Sequence, residues 1–285
     1  MEILLHEARI QSIMAILKGI EQDGASPCGL AGQIWGKFQH ATSLLWGKFG
    51  AAKLKPFVRR QHEAHRRGLS PQLRSSISWW LALLPSRTFP QEVPMTPSNL
   101  SWVLSYSDGG GTGGVGVAVW ASDLDVPLAA YLKIPREVRR YWQQAEEDRD
   151  IFEVEAVGPL MVLATWPRLM QGRLWTHYID NAAAQAAFVR GSSSVQSGDL
   201  IIGAAWQLVA RHRLLHWFHR ADTASNPVDG LSRGRDEGPW TNVEVGRLPG
   251  ELLSQLRRAR WGSEDRHCRH GSIAEAWVHE SPLDR

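Results

Sequence analysis

Near Leu100 the hydrophobic period of this chain changes from about 3.6 residues to 2, and that switch limits the fold more than any other feature. Upstream, Ile3, Leu4, Ile10, Ile13, Met14, Ile16, Leu17 and Ile20 predict a helix over residues 1–24, broken by Gly24 to Pro27. Leu30, Ile34, Phe38, Ala41 and Leu45 mark a second helix from Leu30 to about Phe49. LSPQLRSSISWWLALL predicts a third, with Ser70 as N-cap and Pro71 in the first turn. The proline-rich SRTFPQEVPMTPSN reads as a linker. Downstream, Trp102, Leu104, Tyr106 and Asp108 share one face of a strand. VGVAVWAS and VPLAAYLKI predict two more strands, and YWQQAEEDRD a charged connection into a helix from Ile151 to Met170. LWTHYID is a strand, NAAAQAAFVRG a helix, DLIIGAAWQLVARHR a helix, LLHWFHRA a strand and NPVDGLSR the start of a short helix. Strands in sequence followed by alternating helix and strand predict an α/β fold, a mixed sheet covered on both faces and preceded by a small helical region. The expected domains are residues 1–95, 96–238 and a weakly patterned tail over 239–285.

The longest apolar run, Leu200 to Ala210, is about half a membrane span. The N-terminus carries Glu2, Glu7 and Arg9 among its apolar residues and lacks the layout of a secretory signal. The two cysteines, Cys28 and Cys268, lie far apart, which argues against a disulfide framework and for a reducing, intracellular setting, nuclear or cytoplasmic. His267-Cys268-Arg269-His270 fits no standard zinc spacing. Residues 1–99 hold 12 Lys/Arg against 6 Asp/Glu, whereas residues 100–239 hold 13 against 16. A basic flank beside a mildly acidic middle suits a polyanion handle next to a metal site, and equally a solvated helix face.

Four acids at element boundaries carry the functional argument: Asp108, Glu155, Asp180 and Asp229. A two-metal phosphodiesterase site needs such oxygen ligands to hold two ions about 4 Å apart. Each acid also has a plainer reading. Asp180 can be an N-cap before the alanine-rich helix, and Asp229 a first-turn acid favoured by the helix dipole. Glu155 competes with Glu153, but shares a helix face with Pro159 and Val162, whereas Glu153 projects roughly opposite. The strand ending in Asp108 runs into glycines, and Gly109 and Gly110, lacking Cβ atoms, allow a phosphate and its metal to approach. GGGTGGVG lacks the Lys-Ser/Thr ending of a P-loop and sits in a hairpin, so that alternative is rejected.

SYSDGGGTGGVGVAVW, FEVEAVGPLMVLATW, YIDNAAAQAAFVRGSS and SNPVDGLSRG together resemble the four signature segments of the RNase H domain of retroelement reverse transcriptases, DIRS-type and related elements above all. The resemblance covers roughly residues 98–236. It implies an RNase H-like three-layer fold with a five-stranded sheet, two Mg²⁺ ions with Mn²⁺ as a substitute, and cleavage of the RNA strand of an RNA–DNA hybrid. Asp108 would bridge both ions, Glu155 and Asp180 would complete the first site, and Asp229 would hold the second beside the leaving 3′ oxygen. Asn181 would lie against the nucleic acid. Two features depart from the pattern. RGSSSVQSGD leaves no room for a basic helical protrusion, and ADTASNPV offers no histidine before the last acid. His219 reads as a packing or surface residue.

Residues 30–84 resemble, less specifically, the helical thumb-to-connection region preceding RNase H in such polymerases. Lys53, Lys55, Arg59, Arg60, Arg66 and Arg67, with Lys48, are the expected phosphate contacts, while Trp35, Trp46, Trp79 and Trp80 are expected to pack. No Tyr-x-Asp-Asp motif occurs, so the resemblance implies a reverse-transcriptase fragment lacking its polymerase part, with an RNA–DNA hybrid as partner and no membrane. A catalytically silent nucleic-acid-binding remnant and a DNA-directed nuclease on the same fold are the competing expectations.

Overall fold

The computed structural model describes residues 2–3, 6–43, 48–63, 68–86, 91–92, 101–145, 150–250 and 252. The chain divides into two compact units, one built from residues up to Pro94 and the other beginning at Met95. The linker, apart from residues 91–92, and the His267–His270 group lie outside the described residues.

In the first unit a two-residue strand β1 (Glu2–Ile3) pairs antiparallel with β2 (Gln91–Glu92). Four helices lie between them: α1 (Glu7–Asp23), α2 (Cys28–Ser43), α3 (Lys55–Gln61) and α4 (Pro71–Ser86). Helix α1 buries Ile10, Ile13, Leu17 and Ile20, the three-to-four spacing of an amphipathic stripe. The N-terminus of α4 follows its sequence: the Leu73 N–H donates to Ser70 Oγ at 3.2 Å, with Pro71 opening the helix. Phe38 and Trp80 meet in the core, their ring centroids 4.2 Å apart.

The second unit is built on a six-stranded mixed sheet. Its first three strands, β3 (Trp102–Gly109), β4 (Gly114–Ala121) and β5 (Leu128–Lys133), form an antiparallel meander. Strand β6 (Leu174–Ile179) lies parallel to β3, and β7 (Leu215–Arg220) parallel to β6. At the far edge β8 (Val243–Val245) pairs parallel with β5, giving the order β7-β6-β3-β4-β5-β8. The connections carry α5 (Arg136–Ala145), α6 (Ile151–Thr165), α7 (Pro167–Met170), α8 (Ala182–Arg190), α9 (Gln196–Arg211) and α10 (Asp229–Ser232). No helix among the described residues is long and apolar enough to cross a membrane.

Helix α6 is the centre of the core. It packs on β3, β4, α8 and α9 and is buried on nearly every side from Glu153 to Leu163. Gly158 lets it sit this close, because a Cβ there would lie 2.3 Å from the Ser107 Cβ on β3. On the opposite sheet face α10 packs over β3 and β4, where Val228, Leu231 and Trp240 join Ala118 and Ala129 in a small apolar cluster.

Three features differ from the reading of the sequence. The charged connection over residues 141–150 begins inside a helix, α5, which buries Val138 and Trp142 one turn apart. The helix expected from Ile151 to Met170 breaks at Trp166, because Pro167 disfavours helical backbone in the residue before it and starts a new turn. The sheet has six strands, not five, and the expected tail begins as part of the fold. Trp240 is 7% exposed, and the Trp166 Nε1–H donates to Glu244 Oε1 at 3.1 Å, holding β8 in place. A three-residue strand is too short to show alternation.

Gly158→Ala is expected to lower stability by about 1–3 kcal/mol, the usual effect of overpacking a tight core. Urea denaturation checks this, and Ser107→Gly in the same chain should recover part of the loss.

Candidate metal centre

Strand pairing brings the first two acids together. Asp108 lies near the end of β3 and Asp180 directly follows β6, its parallel neighbour, with Ser107 opposite Ile179. The third comes from above the sheet. Helix α6 crosses the end of β3 so closely that a Cβ on Gly109 would lie 2.9 Å from the Glu155 backbone nitrogen. Asp108, Glu155 and Asp180 thus offer ligand atoms that all lie within 4.8 Å of one another.

The plainer readings of two acids can be tested on this geometry. Asn181, not Asp180, caps α8: its Oδ1 accepts the Ala184 N–H at 3.0 Å. The cap uses Asn181 Oδ1 and leaves its Nδ2 donors for other contacts. Glu153 is fully buried but turned toward α9, where the Ser197 hydroxyl donates to its Oε1 at 2.5 Å.

Burial pushes the Asp108 carboxyl up to about 6, with Asp180 and Asp229 adding to the shift and a Ser232 hydrogen bond opposing it. Burial pushes Glu155 further, to about 9, helped by the charges of Asp180 and Asp108 and opposed by a backbone hydrogen bond from Gly109. Glu155 Oε2 and Asp180 Oδ1 are buried with no hydrogen-bond donor outside the acid group itself, within which Asp180 hydrogen-bonds Asp108 and Glu155. Such oxygens are costly to leave unsatisfied. Three crowded carboxylates with such oxygens are what a hard cation would satisfy, and the triad can hold a metal ion.

Asp229 is not one of the three acids whose ligand atoms all lie within 4.8 Å of one another. It is close enough to raise Asp108, yet its Oδ1 receives Arg233 Nη2 at 2.6 Å, and Arg235 stands 3.9 Å from its Oδ2. Position i+4, at the exposed end of a short helix, makes Arg233 the nearest counter-charge. Gly109 and Gly110 are buried. The missing Cβ of Gly109 makes room for Glu155, and that of Gly110 for the Ser232 carbonyl, 2.8 Å from where a Cβ would stand. The space their missing Cβ atoms leave is filled by the protein's own α6 and α10.

Several positioning groups escaped the sequence reading. Asn226, considered there only as a cap, donates from Nδ2 to the Ser107 carbonyl at 3.0 Å, tying the loop before Asp229 to β3. Beneath the site His177 joins β6 to β3. Trp175 Nε1–H donates to Ser105 Oγ at 2.8 Å, and Ser105 Oγ shares a hydrogen bond with His177 Nδ1 at 2.7 Å. His177 Nε2 shares another with Ser107 Oγ at 2.9 Å. Burial lowers His177 to about 3, which keeps the ring neutral. On the other side Arg139 pairs with Asp150, at the start of α6, and donates to the Gly111 carbonyl at 2.9 Å, tethering the hairpin loop. None of these links follows a local pattern. They join residues far apart in the sequence.

Of the expected phosphate contacts, Lys55 is half-buried and Arg59 exposed on α3, and Lys53 lies over the Trp79 ring, 5.9 Å from its centroid. Arg60 is a correction: it is 4% exposed and donates to the Glu63 carbonyl and to Cys28 Sγ inside the helical unit. Arg66 and Arg67 lie outside the described residues. No protein-family model matches the chain, and no curated protein matches its sequence.

The shifted acids predict how stability varies with pH. Below their ordinary values of 3.8 and 4.5, Asp108 and Glu155 are protonated whether the chain is folded or not. As pH rises the unfolded chain ionises first, so the fold loses stability until the folded values of about 6 and about 9 are passed. In EDTA the Tm is therefore expected to fall from pH 5 to pH 9, with a flatter fall in Glu155→Gln. A saturating divalent cation should oppose it in the wild type. A pH-independent Tm in EDTA contradicts the electrostatic account.

Proposed function

We propose that this protein is a metal-dependent nuclease that cleaves the RNA strand of RNA–DNA hybrids, as its resemblance to reverse-transcriptase RNase H domains implies. The observation that carries the reading is the convergence of Asp108, Glu155 and Asp180 from β3, α6 and the end of β6, with two buried oxygens that have no donor outside the acid group. Carboxylates alone favour a hard cation, and Mg²⁺ is the ion of this proposal.

Asp108, Glu155 and Asp180 would hold one ion, and Asp108 with Asp229 the second. Bound there, Mg²⁺ would supply Lewis-acid polarisation of the scissile phosphate and a nucleophilic water at neutral pH. The protein's own groups prepare that state. Glu155 and Asp108 release their raised protons when a cation arrives, which makes affinity pH-dependent. His177, Asn226 and Arg139 hold the elements bearing the acids, limiting the drift of each ligand. To hold a second ion Asp229 would have to give up Arg233, whose guanidinium would then be free for a phosphate. The exposed Asp229–Arg233 pair is the observation that favours the rival reading, a module that binds nucleic acid without cutting it.

The decisive experiment incubates the protein with labelled RNA–DNA hybrid, duplex RNA and duplex DNA in Mg²⁺. Cleavage confined to the RNA of the hybrid is expected, and Asp108→Asn should reduce it roughly a thousandfold, on the order of losing a principal electrostatic contributor. Cutting of duplex DNA, or wild-type turnover by that variant, would sink the proposal. Hybrid affinity is also expected to fall with salt. Replacing Lys53, Lys55 and Arg59 by Gln should flatten that dependence, by nearly one in log–log slope for each phosphate that a removed charge had neutralised. Equal slopes for variant and wild type assign these side chains to solvent.

A further inference from the structure

Half of one sheet face carries aromatic side chains that the proposed chemistry does not use. Strand register defines it. Across β3, β6 and β7, Tyr106 is opposite Tyr178, which is opposite His219. One step further from the acids, Leu104, Thr176 and Trp217 make the next row, and Trp102 stands beyond Leu104 on β3. Tyr106 and Tyr178 are stacked with centroids 4.7 Å apart, and Tyr178 and His219 likewise at 5.2 Å. These spacings match neighbouring strands, so the rings stand side by side with their edges outward. Trp217 is 64% exposed and Trp102 48%. Helix α10 and Trp240 cover the β3–β5 part of this face, where Tyr106 packs against their cluster, while Trp217 and His219 on β7 are exposed.

We infer that this face is a binding track for an unpaired RNA strand leading to or from the carboxylate site. The inference rests on the proposed nuclease reading for its choice of RNA. Three features select the occupant. The track is continuous with the acids: Asp108 lies two residues beyond Tyr106 on β3, and Asp180 two beyond Tyr178, so each pair shares a strand face. A chain held at the triad for cleavage has to continue past it, and this face is the surface it meets. The outward edges are phenol O–H and imidazole groups, donors suited to phosphate and ribose oxygens. Finally, the exposed indoles offer flat surfaces to bases, which are open to them only in an unpaired strand.

The test uses the full chain in EDTA, where nothing is cut, and a labelled single-stranded RNA of about 12 nucleotides. Fluorescence anisotropy gives the affinity. Trp217→Ala is expected to weaken binding about tenfold, the usual effect of removing one stacking partner. Tyr178→Phe, which removes only a hydroxyl, should weaken it less. Trp102→Ala, on a different strand, is the second variant should Trp217→Ala fail to fold, which its Tm would reveal. Wild-type affinity in both tryptophan variants overturns the proposal, as does no RNA binding by the wild type. So does a change of oligomeric state in Trp217→Ala with RNA affinity unchanged, which would assign the face to a second copy. Hybrid cleavage by the wild type in Mg²⁺ is read separately. If the wild type does not cut but the variants lose RNA binding, the nuclease reading falls and the track stands. If it cuts and the variants bind normally, the track alone falls.

Discussion

The approach of α6 to the end of β3 is the constraint on which this structure depends. Two glycines on opposing elements, Gly109 and Gly158, remove the atoms that would hold helix and sheet apart. Without that contact Glu155 would stand a side-chain layer away from Asp108, and the triad would not form. Because α6 is buried on almost every side, α8 and α9 take their positions from it, and β6 is held to β3 beneath it by the His177 bridge. One close backbone approach therefore organises both the core and the site.

That arrangement sets stability against function. Burying carboxylates beside one another disfavours the charged state, and the protonation of Asp108 and Glu155 at values far above normal measures the effect. The surrounding structure is correspondingly over-determined. Asn226, Arg139 and His177 each anchor a segment next to the acids through side chain to main chain or strand-to-strand hydrogen bonds. Local rules broken at one spot and compensated around it are the usual mark of a functional site. Asp229 sits on the periphery of this scaffold, on a four-residue helix, with an exposed counter-charge in place of a buried partner.

Much of this could be read in the sequence, and the reasons differ by element. The change of period near Leu100 located the sheet because β3 is eight residues long and alternates over its first six. Helical facing separated Glu155 from Glu153 because α6 is regular there. Asp108 and Asp180 lie on neighbouring strands, as parallel strands joined by a crossover usually do. What failed was either too short or too distant. Strand β8 has three residues, and the Trp166–Glu244 hydrogen bond that fixes it spans 78 positions. The glycines of the hairpin were read as space for a ligand, whereas tertiary packing fills that space with α6 and α10. Arg60 looked like one basic residue among several until folding turned it inward.

Strand β8 also bears on how the molecule avoids its own kind. Strand β5 would otherwise end the sheet with a six-residue row of open N–H and C=O groups, a template for pairing with another chain. Three residues of β8 cover part of that row and present in turn an edge too short to recruit a partner, with Glu244 at its middle. On this side of the sheet the segment that returns after α10 shortens the open edge, whereas the six-residue β7 ends the other side.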